Sequence, residues 1–266
     1  MYQHFLQTRF NLRRHPLDKF GHETLTDEWM ENRFILFEKF CIPSIFNQSV
    51  SNFQWLVYFE ENTKPEFREK IARYEEQIPN FIPKFVSFPH HKDYIRESVK
   101  ALINDSTEYV ITTRIDNDDI VHRDFMLEIQ KRFDYQYDSF FRFLKGYQWH
   151  RDTCVLLKMY EKSGNHFSSR IEKVEKGIDT VINVDNQKYQ EIPGADIVDI
   201  DENKRLWIEV VHDTNVRNHH RVLMPEFNTS IIGQIDIDLE INWKNMMCML
   251  YKYLRKSLSG WFSGKN

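Results

Sequence analysis

A doubly wound α/β fold built on a largely parallel sheet is the architecture this sequence predicts. Three observations carry it. Strand-length apolar runs alternate with helix-length amphipathic segments through residue 115. The run 53–59 (FQWLVYF) is apolar almost throughout, the mark of a strand covered on both faces. Polar and charged residues gather just past the C-terminal ends of the expected strands, where sheets of this kind bind their ligands.

Taken in order, residues 2–10 (YQHFLQTRF) read as a first strand that ends in a polar loop around Arg9 and Asn11. Thr26, followed by Asp27 and Glu28, opens a helix through Phe40, with Met30, Ile35, Phe37 and Phe40 on its apolar face and Pro43 closing it. After the 53–59 strand comes the polar turn Glu60-Glu61-Asn62-Thr63. Pro65, well placed in a first turn, starts a helix to about Gln77. Residues 84–88 form a third strand, 93–104 a third helix and 108–115 (EYVITTRI) a fourth strand. Three strand ends then hold Arg9, Glu60 with Glu61, and the acidic run 116–119.

Past residue 135 the pattern shortens to strands at 139–144, 147–150 and 153–158. A polar stretch, 161–205, shows few periodic signals, and 206–211 (LWIEVV) is a last strand ending at His212. This half reads as antiparallel and loop-rich, appended to the sheet rather than separate, so residues 1–235 form one unit. Residues 236–266 are a tail in which 241–262 is amphipathic, setting Lys244, Lys252, Arg255 and Lys256 among Trp243, Met247, Leu250, Leu254 and Trp261. Such a segment is either a helix packed on the core or an interfacial helix at anionic lipid, and the mix of basic and aromatic residues favours the second.

Composition narrows the class. A chain of 266 residues is long enough for one sizeable core without disulfides. With 29% charged residues and a net charge of −4, bulk electrostatics argue against a nucleic-acid partner. The first twenty residues lack a secretory signal and no run of membrane-spanning length exists, which points to the cytoplasm. Cys41, Cys154 and Cys248 are too few and too scattered for a disulfide framework or zinc knuckle, and read as small buried hydrophobes. Aromatics reach 15% while alanines number three, so the core is built from large side chains.

The segment Ile111 to Asp119 (ITTRIDNDD) is the most informative. A β-branched strand delivers Asp116, Asp118 and Asp119 within four residues. Carboxylates this close repel unless a cation sits among them, and hard divalent cations prefer oxygen ligands and share them with phosphates. The plainer reading is an acidic turn capping the next helix. A calcium EF-hand loop is excluded, because Ile120 and Val121 occupy positions that need an oxygen ligand and a glycine.

The run resembles the Asp-x-Asp motif of nucleotide-sugar glycosyltransferases of the GT-A fold, and Asp-x-Asp-Asp after a fourth strand is similar to the large inverting family 2. Four blocks in order, Leu6–Asn11, Phe53–Glu60, Thr113–Asp119 and Trp207–Asn218, resemble a bacterial family of rhamnosyltransferases over roughly residues 1–220. The resemblance implies a GT-A, Rossmann-like mixed sheet with flanking helices, a nucleotide-sugar half at 1–120 and an acceptor half at 121–235. It implies a Mn²⁺ or Mg²⁺ cofactor, a UDP- or dTDP-sugar donor, and a glycan or lipid-linked glycan acceptor of a bacterial surface polysaccharide or lipopolysaccharide. A place at the inner face of the cytoplasmic membrane goes with that acceptor.

Roles follow from the same resemblance. Asp118 is the best direct metal ligand, Asp116 lies nearer the ribose, Asp119 ligates or orients, and His212 is a last ligand from the C-terminal half. Arg9 and Glu60 face the nucleotide base, although Glu60 replaces the usual aspartate. Arg96 and Arg114 pair with phosphate or with the acidic run, Arg114 more as a structural residue, and Asn215 and Asn218 contact phosphate or close the loop. Glu172 is the first choice for the general base of a single-displacement transfer, with Asp179 and Asp152 behind it. Trp149 and His150 line an acceptor pocket or pack in the core. Two other readings stand beside this one. A nucleotidyltransferase is weakened because Gly21 is the only glycine before Gly146, and a glycan-binding scaffold would use the acidic run only as a cap.

Overall fold

The computed structural model describes residues 1–12, 17, 20–87, 89–162, 166–185, 187–213, 215, 221–235 and 237–263, the side chains of Thr229 and 259–263 excepted. Its order is β1 (Tyr2–Arg9), α1 (Asp27–Leu36), α2 (Ile42–Phe46), β2 (Gln54–Glu60), α3 (Pro65–Gln77), β3 (Phe81–Val86), α4 (His91–Lys100) and β4 (Tyr109–Arg114). Then come β5 (Ile120–Val121), α5 (Phe125–Gln130), β6 (Ser139–Phe143), β7 (Lys145–His150), β8 (Val155–Tyr160), β9 (Ser168–Lys173), β10 (Asp196–Ile200), β11 (Trp207–Val211), α6 (Ile232–Ile235) and α7 (Trp243–Ser263).

Seven strands form the main sheet in the order β10-β6-β9-β4-β1-β2-β3. Strands β4, β1, β2 and β3 run parallel, β9 runs against both β4 and β6, and β10 is parallel to β6. The mixed, mostly parallel sheet with flanking helices and a C-terminal helix is therefore the architecture expected. Strand β2 is buried from Trp55 to Glu60, as a strand covered on both faces must be. One face packs on α1 and α3: Tyr74 of α3 meets Phe34 of α1 at 6.3 Å and Phe81 at 5.9 Å, and Phe37, just past α1, meets Trp55 at 5.4 Å. A second sheet, β5-β11-β7-β8, is tied to the first by the two-residue strand β5, which follows the acidic run directly.

Several boundaries differ from expectation for local reasons. Pro43 does not close the first helix. A π-helical turn at Phe37–Cys41, with Ile42 N–H donating to Phe37 O, widens the helix, and Pro43 enters the first turn of α2 where its missing donor is tolerated. Thr26 does cap α1, accepting from Trp29 N at 3.2 Å, but Ile35 is exposed and Phe34 takes the buried place. The third strand starts at Phe81 and contains Pro83, which is admissible because β3 is an edge strand. The polar stretch 161–205 holds two full strands, β9 and β10. Of the cysteines only Cys41 is buried, and Cys248 is exposed.

Gly146 in β7 lies flat against the Trp207 indole, where a Cβ would stand 2.1 Å from the ring. That close approach seats β11 beside β7, and the Trp207 Nε1–H donates to Phe143 O at 2.7 Å. Strand β11 then brings its C-terminal end to the acidic run.

Candidate active site

The site forms where the C-terminal ends of β1 and β4 meet the start of β9 and the end of β11. Because β9 is antiparallel to β4, with Thr113 opposite Ser169, the residues just before β9 arrive beside those just after β4. His166 is placed there. Its Nε2 lies 2.8 Å from Asp119 Oδ2. Sequence reasoning missed His166, which is 47 residues from the run; the one signal was that a strand paired antiparallel to β4 must begin at this end.

The carboxylates divide into two groups. Asp118 Oδ2 accepts from Arg33 Nη1 at 2.6 Å and from Asn215 Nδ2 at 3.1 Å, and meets His212 Nε2 at 2.8 Å. Arg33, from α1, is buried and also donates to Asn117 Oδ1 at 3.1 Å, while Asn117 Nδ2 donates to Phe10 O. Burial opposes the Asp118 charge, but Arg33 and His212 hold its carboxyl far below the ordinary range. Burial also lowers the His212 imidazole against the pull of Asp118, so a neutral ring donates to the carboxylate. Asn215 Oδ1 accepts from His212 N at 2.6 Å and closes the turn.

Asp116, Asp119 and His166 form the second group, with one ligand atom from each lying within 4.8 Å of the others. Asp116 pairs with Arg114 at 3.1 Å; burial opposes its charge, but Arg114, His166 and Arg9 lower the carboxyl to about 2. Asp119 accepts from Val210 N at 2.9 Å besides its contact with His166. Burial raises Asp119 to about 7. Burial opposes the charged His166 ring too, but Asp119 and Asp116 push it up to about 9. Two carboxylates and an imidazole with converging oxygen and nitrogen atoms suit Mn²⁺ or Mg²⁺ by donor chemistry.

The structure thus brings Arg9, Arg114, Asp116, Asp118, Asp119, His212 and Asn215 to one end of the sheet. Glu60 lies at the same end, two residues past Tyr58, which stands opposite Arg9. Its carboxylate caps its own turn, accepting from Asn62 N at 3.1 Å and Asn62 Nδ2 at 3.3 Å. Arg96 is elsewhere, held on α4 by Asp93 and Asp179 at 3.0 and 2.9 Å.

Glu172 and Asp179 are not brought to the run. Glu172 stands opposite Val110, six residues before Asp116, or roughly 20 Å away along the strand. Its carboxylate is buried and accepts from Asp179 N at 2.8 Å and Thr180 N at 3.0 Å, with Arg170 at 3.2 Å. It therefore fastens the backbone of 179–180, where Thr180 holds a φ of 71°. Trp149 packs edge-on against Phe40 at 5.5 Å and donates to Glu240 O, and His150 is buried beside Gln148. Both belong to the core of the second sheet. Asn218, His219 and His220 lie outside the described residues, as does the Trp261 side chain.

An acidic run and a histidine thus lie at the C-terminal ends of a mostly parallel sheet, the end at which open α/β sheets bind their ligands. The family described as "Putative rhamnosyl transferase" matches residues 7–222, and the chain belongs to it. The protein is a glycosyltransferase. No curated protein matches the chain. Among solved structures it is similar to TarS residues 1–349 of S. aureus, at 8% identity and a TM-score of 0.43 over 97% of this chain and 72% of that one. The same protein in complex with UDP gives 9% identity and a TM-score of 0.44 at the same coverage.

Proposed function

We propose that the protein is a GT-A, divalent-cation-dependent glycosyltransferase. It would move a sugar, rhamnose being the family's suggestion, from a UDP- or dTDP-linked donor to a bacterial surface-polysaccharide or lipopolysaccharide acceptor at the inner face of the cytoplasmic membrane. The observation that carries this reading is the group Asp116, Asp119 and His166 at the end of β4, inside the matched family residues. Mn²⁺ or Mg²⁺ held there would neutralise the charge that develops on the leaving diphosphate.

The protein's own residues would divide the work. Arg9 and Arg114, whose charges already reach Asp116, would face the nucleotide. Glu60, at the neighbouring strand end, would meet the base. Asp118 would fix the turn that carries His212 and Asn215 rather than ligate. We assign the acceptor base to Asp213, whose side chain is 83% exposed beside His212, instead of the fastened Glu172. Thermal shift tests the reading: UDP or dTDP raises Tm with Mn²⁺ present and not without it. Absence of any nucleotide effect would leave the acidic run a structural cap. A donor screen with the product anomer assigned by NMR then names the sugar and the stereochemistry.

A further inference from the structure

Helix α7 carries an outward face that the fold does not use. Trp243, Met247, Tyr251, Leu254 and Leu258 are each 50–62% exposed. At 3.6 residues per turn these five fall within roughly 80° of arc, one continuous apolar stripe along the helix. Only the first turns are seated on the body. Met246 is fully buried against Val155 and Leu157, and Asn245 Nδ2 donates to Thr153 O at 2.8 Å. From Leu254 to Leu258 every residue is exposed, so this stretch stands clear of the core. Phe227, itself 39% exposed, stacks near Trp243 at 6.4 Å and extends the patch.

Charge selects the occupant. Lys244 and Arg255 border the stripe, Lys252 and Lys256 lie further round the helix, and Trp243–Ser263 contains no carboxylate, in a chain whose net charge is −4. A second copy of the chain would bring an equally basic helix against this one and repel it. An anionic lipid surface matches both properties at once, with apolar side chains entering the headgroup boundary and cations meeting phosphate. No described helix is long and apolar enough to cross a membrane, so the helix would lie in the interface. The family match ends at residue 222, which leaves α7 outside the part shared with the family.

We propose that α7 is an in-plane anchor that docks the enzyme on anionic bilayers through Trp243, Met247, Tyr251, Leu254 and Leu258, with its basic residues reading the lipid charge. It deepens the location given under the proposed function and rests on it only for the acceptor, since its test needs no sugar transfer. The full chain is floated with vesicles of phosphatidylcholine alone and of phosphatidylcholine with phosphatidylglycerol. It floats with the second and stays behind with the first, and added salt weakens the association. K252E/R255E and L254D/L258D each lower the bound fraction roughly tenfold or more, with Tm and the nucleotide response unchanged, because these side chains are exposed. Three results would overturn the proposal. The wild-type chain stays behind with both vesicles, or it floats equally with both. Or light scattering shows a dimer that L254D/L258D dissolves while vesicle binding is absent, which would make a second copy the occupant.

Discussion

The two ends of β9 each gather a cluster of carboxylates, mostly buried, and they differ in which cations answer them. At the far end Glu172, Asp138 and Asp179 meet Arg170 and Arg96, and Glu172 also takes two backbone N–H groups. At the near end Asp116 has Arg114, Asp118 has Arg33 together with the His212 imidazole, and Asp119 has the His166 imidazole with no guanidinium paired to it among the described residues. A guanidinium never gives up its proton and cannot ligate, whereas an imidazole can do both. Buried acid alone therefore marks nothing. Under the proposed function, Asp119, answered by histidine without a paired guanidinium, is the carboxylate that would exchange its partner for a cation. Burial also raises the Glu172 carboxyl, against Arg170 and the backbone donors, so a shifted pKa does not separate the two ends.

The sharpest way to break this contrast is Asp119→Ala. It should lower kcat/KM for transfer roughly 10³-fold or more and remove the Mn²⁺-dependent part of the UDP thermal shift, with the fold intact by circular dichroism. Asp213→Asn is expected to lower kcat by roughly 10² while leaving Mn²⁺-dependent nucleotide binding in place. If donor binding falls with kcat, the base assignment is wrong. Glu172→Ala should act on stability instead. It removes one member of a buried ion pair and two N–H acceptors, destabilising by about 3 kcal/mol and lowering Tm by roughly 6–12 °C. Transfer per folded molecule should hold; a dead but equally stable Glu172→Gln enzyme would restore Glu172 as the base.

The smallest expected effect lies between the two ends, in an uncharged chain. His4 Nε2 meets Thr113 Oγ1 at 2.7 Å, and Thr113 meets Ser169 at 2.7 Å. Complete burial lowers His4 from 6.5 to about 3. The unfolded chain therefore takes up this proton below pH 6.5 while the folded protein does not. His4 contributes stability that is present above pH 6.5 and is lost as pH falls towards 3. Chemical denaturation across that window should show a shallower acid limb in His4→Gln than in the wild type.

How much was legible follows the same physics. The parallel half could be read because β2 is an apolar run and β4 a β-branched run, both of strand length and set between helical segments. Strand β9 (SSRIEK) could not, because Ser168, Ser169, Arg170 and Glu172 are buried polar residues satisfied by partners far along the chain. Missing β9 hid His166, which only the antiparallel pairing carries to the run. It also left Glu172 without its true neighbours, Thr180 and Asp179. The motif located Asp116, Asp118 and Asp119 together, but spacing holds no word of Arg33, 85 residues before Asp118, which takes up the middle carboxylate.

Pro83 explained an admissible strand, and it also bears on solubility. The seven-stranded sheet has two rims, β3 and β10, each a template that another chain might extend. On one rim Pro83 removes a donor from the row. On the other, the exposed Asp196 meets an incoming strand with negative charge. An aromatic-rich chain is thus guarded at both open edges of its main sheet. Replacing Pro83 by Val and Asp196 by Thr would leave the fold standing and let it stack into aggregates.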